Sequence, residues 1–202
     1  MDREPDMVEM VRAKAAAQGA QDVLPIVSDA EVLDAELDYF DLAVIGNAFH
    51  RLNRDLVAGQ VLGWLKPGGS LALCGSSQPF LGEEDWQRAL AAVVERWKVA
   101  LGAQSRIPAG WDLPQQRRPD LQVLAAAGFE VAGHHEFAAE HRWSIPELAG
   151  LIRSTSFLPA SVLGGQGAAF DADLAASLAP YGDDGAFTEH ASFVYDLARK
   201  PA

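Results

Sequence analysis

The sequence predicts an α/β fold, a doubly wound sheet with helices on its faces, and three observations predict it. Short and almost continuously apolar runs, at residues 23–27 and 40–45, alternate with longer stretches of helical periodicity. Residues 40 to 74 read in turn as strand, helix, tight turn and strand, which is a crossover unit of a mostly parallel sheet. With 202 residues, 49% hydrophobic and 22% charged, the chain is long enough for one ordinary core and a small appended subdomain.

The elements follow in order. Residues 3–18 place Met7, Val8, Val11 and Ala15 near helical spacing, with Pro5 suited to a first turn and Gly19 just past the end. Met1-Asp2 then reads as the tail of a strand. In a doubly wound sheet an acid at the end of the second strand can bond both ribose hydroxyls of a nucleotide. An ordinary acidic cap is the alternative for Asp2. On the nucleotide reading, the expectation is an N-terminally truncated domain, whose first strand and glycine-rich turn would precede residue 1.

Residues 23–27 read as a strand ending at Ser28-Asp29, and residues 40–45 as another ending at Gly46-Asn47. Both are apolar throughout, as strands buried on two faces tend to be. Residues 54–65 give a helix with Leu56, Val57, Val61, Leu62 and Leu65 inward. Lys66-Pro67-Gly68-Gly69 stops it before a strand at 70–74. Such crossovers are right-handed, which puts the strand ends carrying Asp2, Asp29 and Gly46-Asn47 on one rim. Residues 83–101 form a long helix burying Trp86, Leu90, Val93, Val94 and Trp97, followed by an irregular stretch through Pro108, Gly110 and Pro114. A short helix at 119–127, a strand at 129–137 and a last strand at 192–197 complete the pattern.

Charge and composition exclude several partners. The formal net charge of −12, from 28 acidic and 16 basic residues, repels a phosphate backbone, so no nucleic acid is expected. The single cysteine, Cys74, lies in an apolar run and is expected to be a packed thiol. No leader and no apolar run of about 20 residues is visible, so no membrane partner is expected and the localisation expected is cytoplasmic. His134, His135, Glu136, Glu140 and His141 cluster in sequence, but adjacent strand residues point to opposite faces, so no metal site is expected. Asp171, Asp173, Asp183 and Asp184 read as solvated cap and turn acids rather than a calcium loop. GGQG at 164–167 follows a helix late in the chain and reads as a hinge or loop.

Three runs in order carry a family resemblance, DREPDMVEMVRAKAAAQGAQDVLPIVSDAEVL, FDLAVIGNAFHRL and VLGWLKPGGSLALCG, and the remainder matches more loosely. Together they resemble a class I S-adenosylmethionine-dependent methyltransferase of the small-molecule, methyltransferase type 11-like kind, closely over residues 1–76. The resemblance implies a Rossmann-like sheet, mostly parallel, with an antiparallel closing strand beside its neighbour near the sheet edge. It implies one methyltransferase-like domain over residues 1–202 with S-adenosyl-L-methionine as cofactor. Residues 142–182 resemble the helical cap that some members fold over the acceptor.

The resemblance also implies roles. Asp2 would be the ribose acid, and Asp29 with Ala30 the acid and small residue beside the adenine, with Met7 on the adenine face or in its own helix's core. A carboxylate at Asp29 can accept from the adenine amino group while the Ala30 amide donates to a ring nitrogen. Asn47, Ala48, Phe49 and His50 follow the strand where the methionine moiety and the acceptor meet. Asn47 and Ala48 would be cofactor contacts, and Phe49, His50 and Trp143 acceptor contacts. Ile152, Ser154, Ser156 and Phe157 either line the acceptor pocket or are plain core. His50 has the unperturbed pKa suited to general-base work, although an in-line methyl transfer draws much of its rate from positioning, and packing at the helix start is its alternative role.

Two other classes stay open. One is a methyltransferase-like module that binds or dimerises through its open sheet edge, as a homodimer, without catalysis. The other is a nicotinamide-dependent oxidoreductase, against which Ser28-Asp29-Ala30 and the NAFHRL segment argue. A small-molecule acceptor is the expected partner of the enzyme.

Overall fold

The computed structural model describes residues 1–106, 118–182 and 184–202. Pro108, Gly110, Pro114 and Asp183 lie outside the described residues. The chain divides into two compact units, each with its own core.

The second unit, residues 28–76, 108–138 and 192–202, contains the crossover. Strand β1 (Phe40–Gly46) leads through helix α2 (Arg54–Trp64) to strand β2 (Leu65–Ser76), and the two strands pair in parallel, Leu42 opposite Ser70 and Gly46 opposite Cys74. Asn53 caps α2, its side chain accepting from Leu56 N–H at 3.4 Å. The helix buries Val57, Ala58 and Val61 against Leu65, Leu71 and Leu73, while Leu56 is exposed. Helix α4 (Asp120–Ala127) adds Val123 and Leu124 to this core and ends at Gly128, φ +107°, where only glycine is unstrained.

Lys66-Pro67-Gly68-Gly69, expected as a turn ahead of the strand, lies inside β2, where the register with β1 is irregular, and its two glycines serve differently. Gly68 has φ +75°. Gly69 has an ordinary φ, but a Cβ there would stand 2.9 Å from the Lys66 carbonyl oxygen, 3.1 Å from that of Phe40 and 3.3 Å from that of Asp41. All three are backbone atoms and cannot step aside cheaply. Gly69→Ala is therefore expected to cost about 1–3 kcal/mol by overpacking, read as a lower denaturation midpoint at unchanged slope.

The sheet corrects one expectation. Strand β4 (Ala186–Arg199) pairs antiparallel with β2, Leu71 opposite Ala198, and the order is β1-β2-β4-β3 with β3 spanning Glu130–Ser144. The antiparallel closing strand is where the resemblance put it. The sheet is mixed, however, and only the β1–β2 pair is parallel, so "mostly parallel" does not hold. The physical reason is connectivity: among the described residues one strand–helix–strand crossover joins sheet strands, and the strands after it do not repeat it.

Three further expectations fail on burial and pairing. Residues 23–27 form no strand; they contribute one parallel bridge, Asp2 with Val27. Pro25 has no N–H to give a ladder. Strand β1 is not buried on two faces: it is an edge strand, and Phe40, Leu42 and Val44 are 39%, 54% and 58% exposed. Cys74 is exposed as well, because β2 alternates and Leu71 and Leu73 take the inward positions.

The first unit, residues 1–27, 77–107 and 139–191, is largely helical. Helix α1 (Pro5–Ala17) starts with proline in its first turn and ends before Gly19, φ +65°, yet buries Val8 alone. Helix α3 (Asp85–Ala100) opens with a Glu84–Gln87 capping box. Its Trp86, Leu90, Val93 and Val94 pack with α5 (Ile145–Arg153), α6 (Ala160–Leu163) and α7 (Gly167–Leu178) around Ile152, Phe170 and Leu174. The GGQG segment forms a 3-10 turn leading into α7.

Asp171 and Asp173 are partly exposed, as expected, but they are not cap acids. They sit within α7, Asp171 accepting from Arg153 at 2.5 Å and Asp173 from Trp97 Nε1 at 2.8 Å and Arg96 at 2.9 Å. Burial raises the Asp173 pKa, but the Trp97 and Arg96 donors outweigh it and hold the carboxyl below its usual range. A depressed folded-state pKa stabilises above the unfolded value, about 3.9, and the gain is lost as pH falls through the folded one. Asp173→Asn is thus expected to be less stable than the parent near pH 7, with the gap closing below about pH 4 in acid titrations followed by circular dichroism.

Candidate functional site

The parallel pair β1–β2 sets the geometry. At its C-terminal end, Gly46 faces Cys74 across the ladder, and the chain turns at Asn47 with φ +47°, a conformation asparagine tolerates better than most residues. The turn is clamped to β2. Asn47 N–H donates to the Cys74 carbonyl at 2.8 Å, its Nδ2 donates to Ser76 Oγ at 3.1 Å, and its Oδ1 accepts from Ser76 N–H at 3.0 Å. Around Gly46 a Cβ would meet no atom within 4 Å, so the strand end is open on that side.

A 3-10 turn, Phe49–Arg51, follows, opened by the Ala48 carbonyl accepting from Arg51 N–H at 2.8 Å. Phe49 is buried with Val57 and Ala58 of α2, while His50 is half-buried. A second 3-10 turn, Ala30–Val32, lies against the same helix. Ala30 joins Phe49 in the buried cluster, and Asp29, just before it, has an exposed side chain. One helix therefore carries both turns, bringing Asp29-Ala30 and Asn47–His50 into one unit.

Asp2 and Trp143 belong to the first unit. Asp2 is exposed; its N–H donates to the Ile26 carbonyl at 3.1 Å and its Oδ1 accepts from Glu4 N–H at 2.9 Å. Met7 is half-buried. Ile152 and Phe157 are core residues of this unit, Ser154 is exposed, and Ser156 Oγ is buried without a hydrogen-bond partner.

Trp143 leads to a residue that the sequence reading missed. Its Nε1 donates at 2.7 Å to Glu189, which also accepts from Ser77 Oγ at 3.2 Å and is only 4% exposed. Both donors are neutral, and the His141 ring meets the Trp143 ring edge-on at 4.3 Å. The signal was available in the period of two, since Phe187, Glu189 and Ala191 alternate inward along β4. Glu31 and Gln60 were missed too; they hold the Asp29 turn.

The histidine-rich strand β3 shows why its cluster is dispersed. His134 Nδ1 lies 2.6 Å from Asp196 Oδ1, whereas His135 stacks on Tyr195 at 4.7 Å. Among the described residues no three His, Cys, Asp or Glu side chains are placed to hold a metal ion. No described helix is long and apolar enough to cross a membrane.

Comparisons with known proteins agree with this frame. Residues 1–73 match the family model described as a methyltransferase domain. No curated protein sequence matches the chain. Among solved structures, a protein of Bacillus halodurans C-125 assigned as a methyltransferase is 19% identical with a TM-score of 0.52, and the match covers 100% of this chain and 81% of that one. The [4+2]-cyclase SpnF is also 19% identical with a TM-score of 0.50, covering 99% of this chain and 64% of that one. At such identity these two structures establish the fold.

Proposed function

We propose, on the premise that residues 1–73 carry a class I S-adenosylmethionine-dependent methyltransferase domain, that the chain transfers a methyl group from S-adenosyl-L-methionine to a small-molecule acceptor. The observation that carries this reading is that Asp29-Ala30 and Asn47–His50 belong to two turns lying against one helix, next to the open end of β1. A shared fold alone would not suffice, since one similar structure is a cyclase.

The residues present fit the cofactor by their chemistry. The exposed Asp29 carboxylate supplies acceptors for an adenine amino group, and the backbone at Ala30 is fixed by the burial of its methyl group. At Gly46 a Cβ would meet nothing within 4 Å, so the strand end is open there, as close approach of a ligand requires. When bound, the sulfonium supplies an electrophilic methyl group. The chain's own residues orient the acceptor for in-line displacement, hold water away, and take up the acceptor proton, for which His50 is the candidate base. This reading of the cofactor contacts rests on the second-unit residues alone.

Calorimetric titration of S-adenosylmethionine and S-adenosylhomocysteine into the chain, with circular dichroism as a check of folding, tests the reading. Micromolar binding of both is expected. A folded chain that binds neither would sink it and favour the second reading, a methyltransferase-like module that pairs with a second copy. That alternative draws on the exposed apolar side chains of the β1 edge, Phe40, Leu42 and Val44, and sedimentation would then show a dimer.

A further inference from the structure

Glu31 directly follows the Asp29-Ala30 pair and is tied to α2 twice. Its Oε1 accepts from the backbone N–H of Asn53, the N-cap residue, at 3.0 Å, and its carbonyl accepts from Gln60 Nε2 at 3.1 Å. Gln60 Oε1 is buried without a hydrogen-bond partner. Turning the amide round would not relieve it, because Oε1 would then face the Glu31 carbonyl, acceptor against acceptor.

An orphaned buried acceptor is a cost, so packing alone gives no reason for a glutamine here. An apolar side chain of the same length would fill the space without that cost. What Gln60 adds is a donor held on the peptide just beyond Ala30. The turn has little internal support of its own: its Val32 N–H to Asp29 carbonyl bond is 3.4 Å long. The ties to α2, rooted in the core through Val57, Ala58 and Val61, therefore set its height and angle.

We propose that Glu31 and Gln60 are positioning residues for the adenine side of the site, fixing the turn so that the Asp29 carboxylate and the Ala30 amide meet the base together. This rests on the reading of Asp29 and Ala30 given above. Neither side chain touches the ligand; both act through the peptide between them. The consequence is a claim about selectivity for the adenine amino group, which depends on where the Asp29 carboxylate stands.

The test compares S-adenosylhomocysteine with S-inosylhomocysteine, in which an oxo group replaces the amino donor, by calorimetry on the full chain. The unaltered protein is expected to prefer the adenosyl compound about tenfold or more. Gln60→Met removes the orphaned Oε1 but also the donor to the Glu31 carbonyl, at similar volume, so the two changes offset and the thermal midpoint should move little. Its preference should nevertheless fall to about threefold or less. Glu31→Ala should behave alike, and Glu31→Gln, which keeps an acceptor for Asn53, should restore the preference. Variants that keep the parent's affinity and preference overturn the positioning role while leaving the methyltransferase reading intact. Binding of neither compound by the unaltered protein overturns that reading, and the positioning role with it.

Discussion

Asp29→Ala is expected to weaken binding of S-adenosylhomocysteine about 10- to 150-fold in calorimetric titration while changing the thermal midpoint little. The affinity range follows from the role assigned to the carboxylate. A hydrogen bond to a charged acceptor contributes about 1.5–3 kcal/mol, and each 1.4 kcal/mol is a factor of ten. The small stability effect follows from the structure. Asp29 is exposed, a setting where substitutions usually stay within about 0.5 kcal/mol. Asp29→Asn keeps an acceptor without the charge, so an intermediate loss of about fivefold is expected. Equal affinity for all three proteins would remove Asp29 from the adenine site.

The pairing of large ligand effect with small stability effect is what distinguishes a rim residue from a core one here. Ala30, its neighbour, is the opposite case: its methyl group is buried with Phe49, Val57 and Ala58. A larger side chain at Ala30 would disturb that packing first and any ligand second. One dipeptide thus divides the work, with Ala30 anchoring the turn and Asp29 facing outward from it.

Much of this was legible before any coordinates. Helices α1 to α4 fall within two residues of their sequence expectations, because proline starts, glycine stops and the 3.6-residue period are local signals. The stop of α2 at Lys-Pro-Gly-Gly was legible for the same reason, but the segment lies inside β2 rather than in a separate turn, and Gly69 is required there by three carbonyl oxygens rather than by its φ. Burial was less legible. The run FDLAVI reads as a strand covered on both faces, yet apolar composition does not reveal what lies against it, and β1 proves to be an edge. Strand pairing was misjudged in the same way at residues 23–27, where apolar character suggested a strand and Pro25 left one bridge.

The candidate site divides along the same line. Asp29, Asn47 and His50 could be picked out because residue type and order point to them. Gln60 could not, since its contribution is one bond to the Glu31 carbonyl, 29 positions away in the chain. Glu189 lies between: its position in the alternation of β4 placed it inward, but its partners Trp143 and Ser77 come from distant segments. A buried carboxylate held by two neutral donors is a costly arrangement unless the geometry of both bonds is kept. The burial of Glu189 within the first unit therefore depends on both donors staying in place.

Phe170→Ala is expected to destabilise the chain by about 3–5 kcal/mol, the largest loss from a single truncation anticipated here, read from the midpoint of denaturant unfolding. Phe170 is completely buried in α7 and is the largest of the fully buried side chains. It packs with Leu90, Val93, Ile152 and Leu174, so truncation removes transfer free energy and leaves a cavity walled by three different helices. Two directional contacts add to this. The Trp97 ring meets it edge-on at 5.6 Å and 86°, and the Arg153 guanidinium carbon lies 5.5 Å from its ring centre. Arg153 is itself bonded to Asp171 and the Gly167 carbonyl on α7, which limits how far the helices can close over the gap. Phe170→Leu separates the contributions: it keeps most of the volume but neither ring contact, and about half the loss or less is expected. If the two variants were equally destabilised, the aromatic contacts rather than the filled volume would dominate this core, and the helices of residues 142–182 would owe their packing to ring geometry.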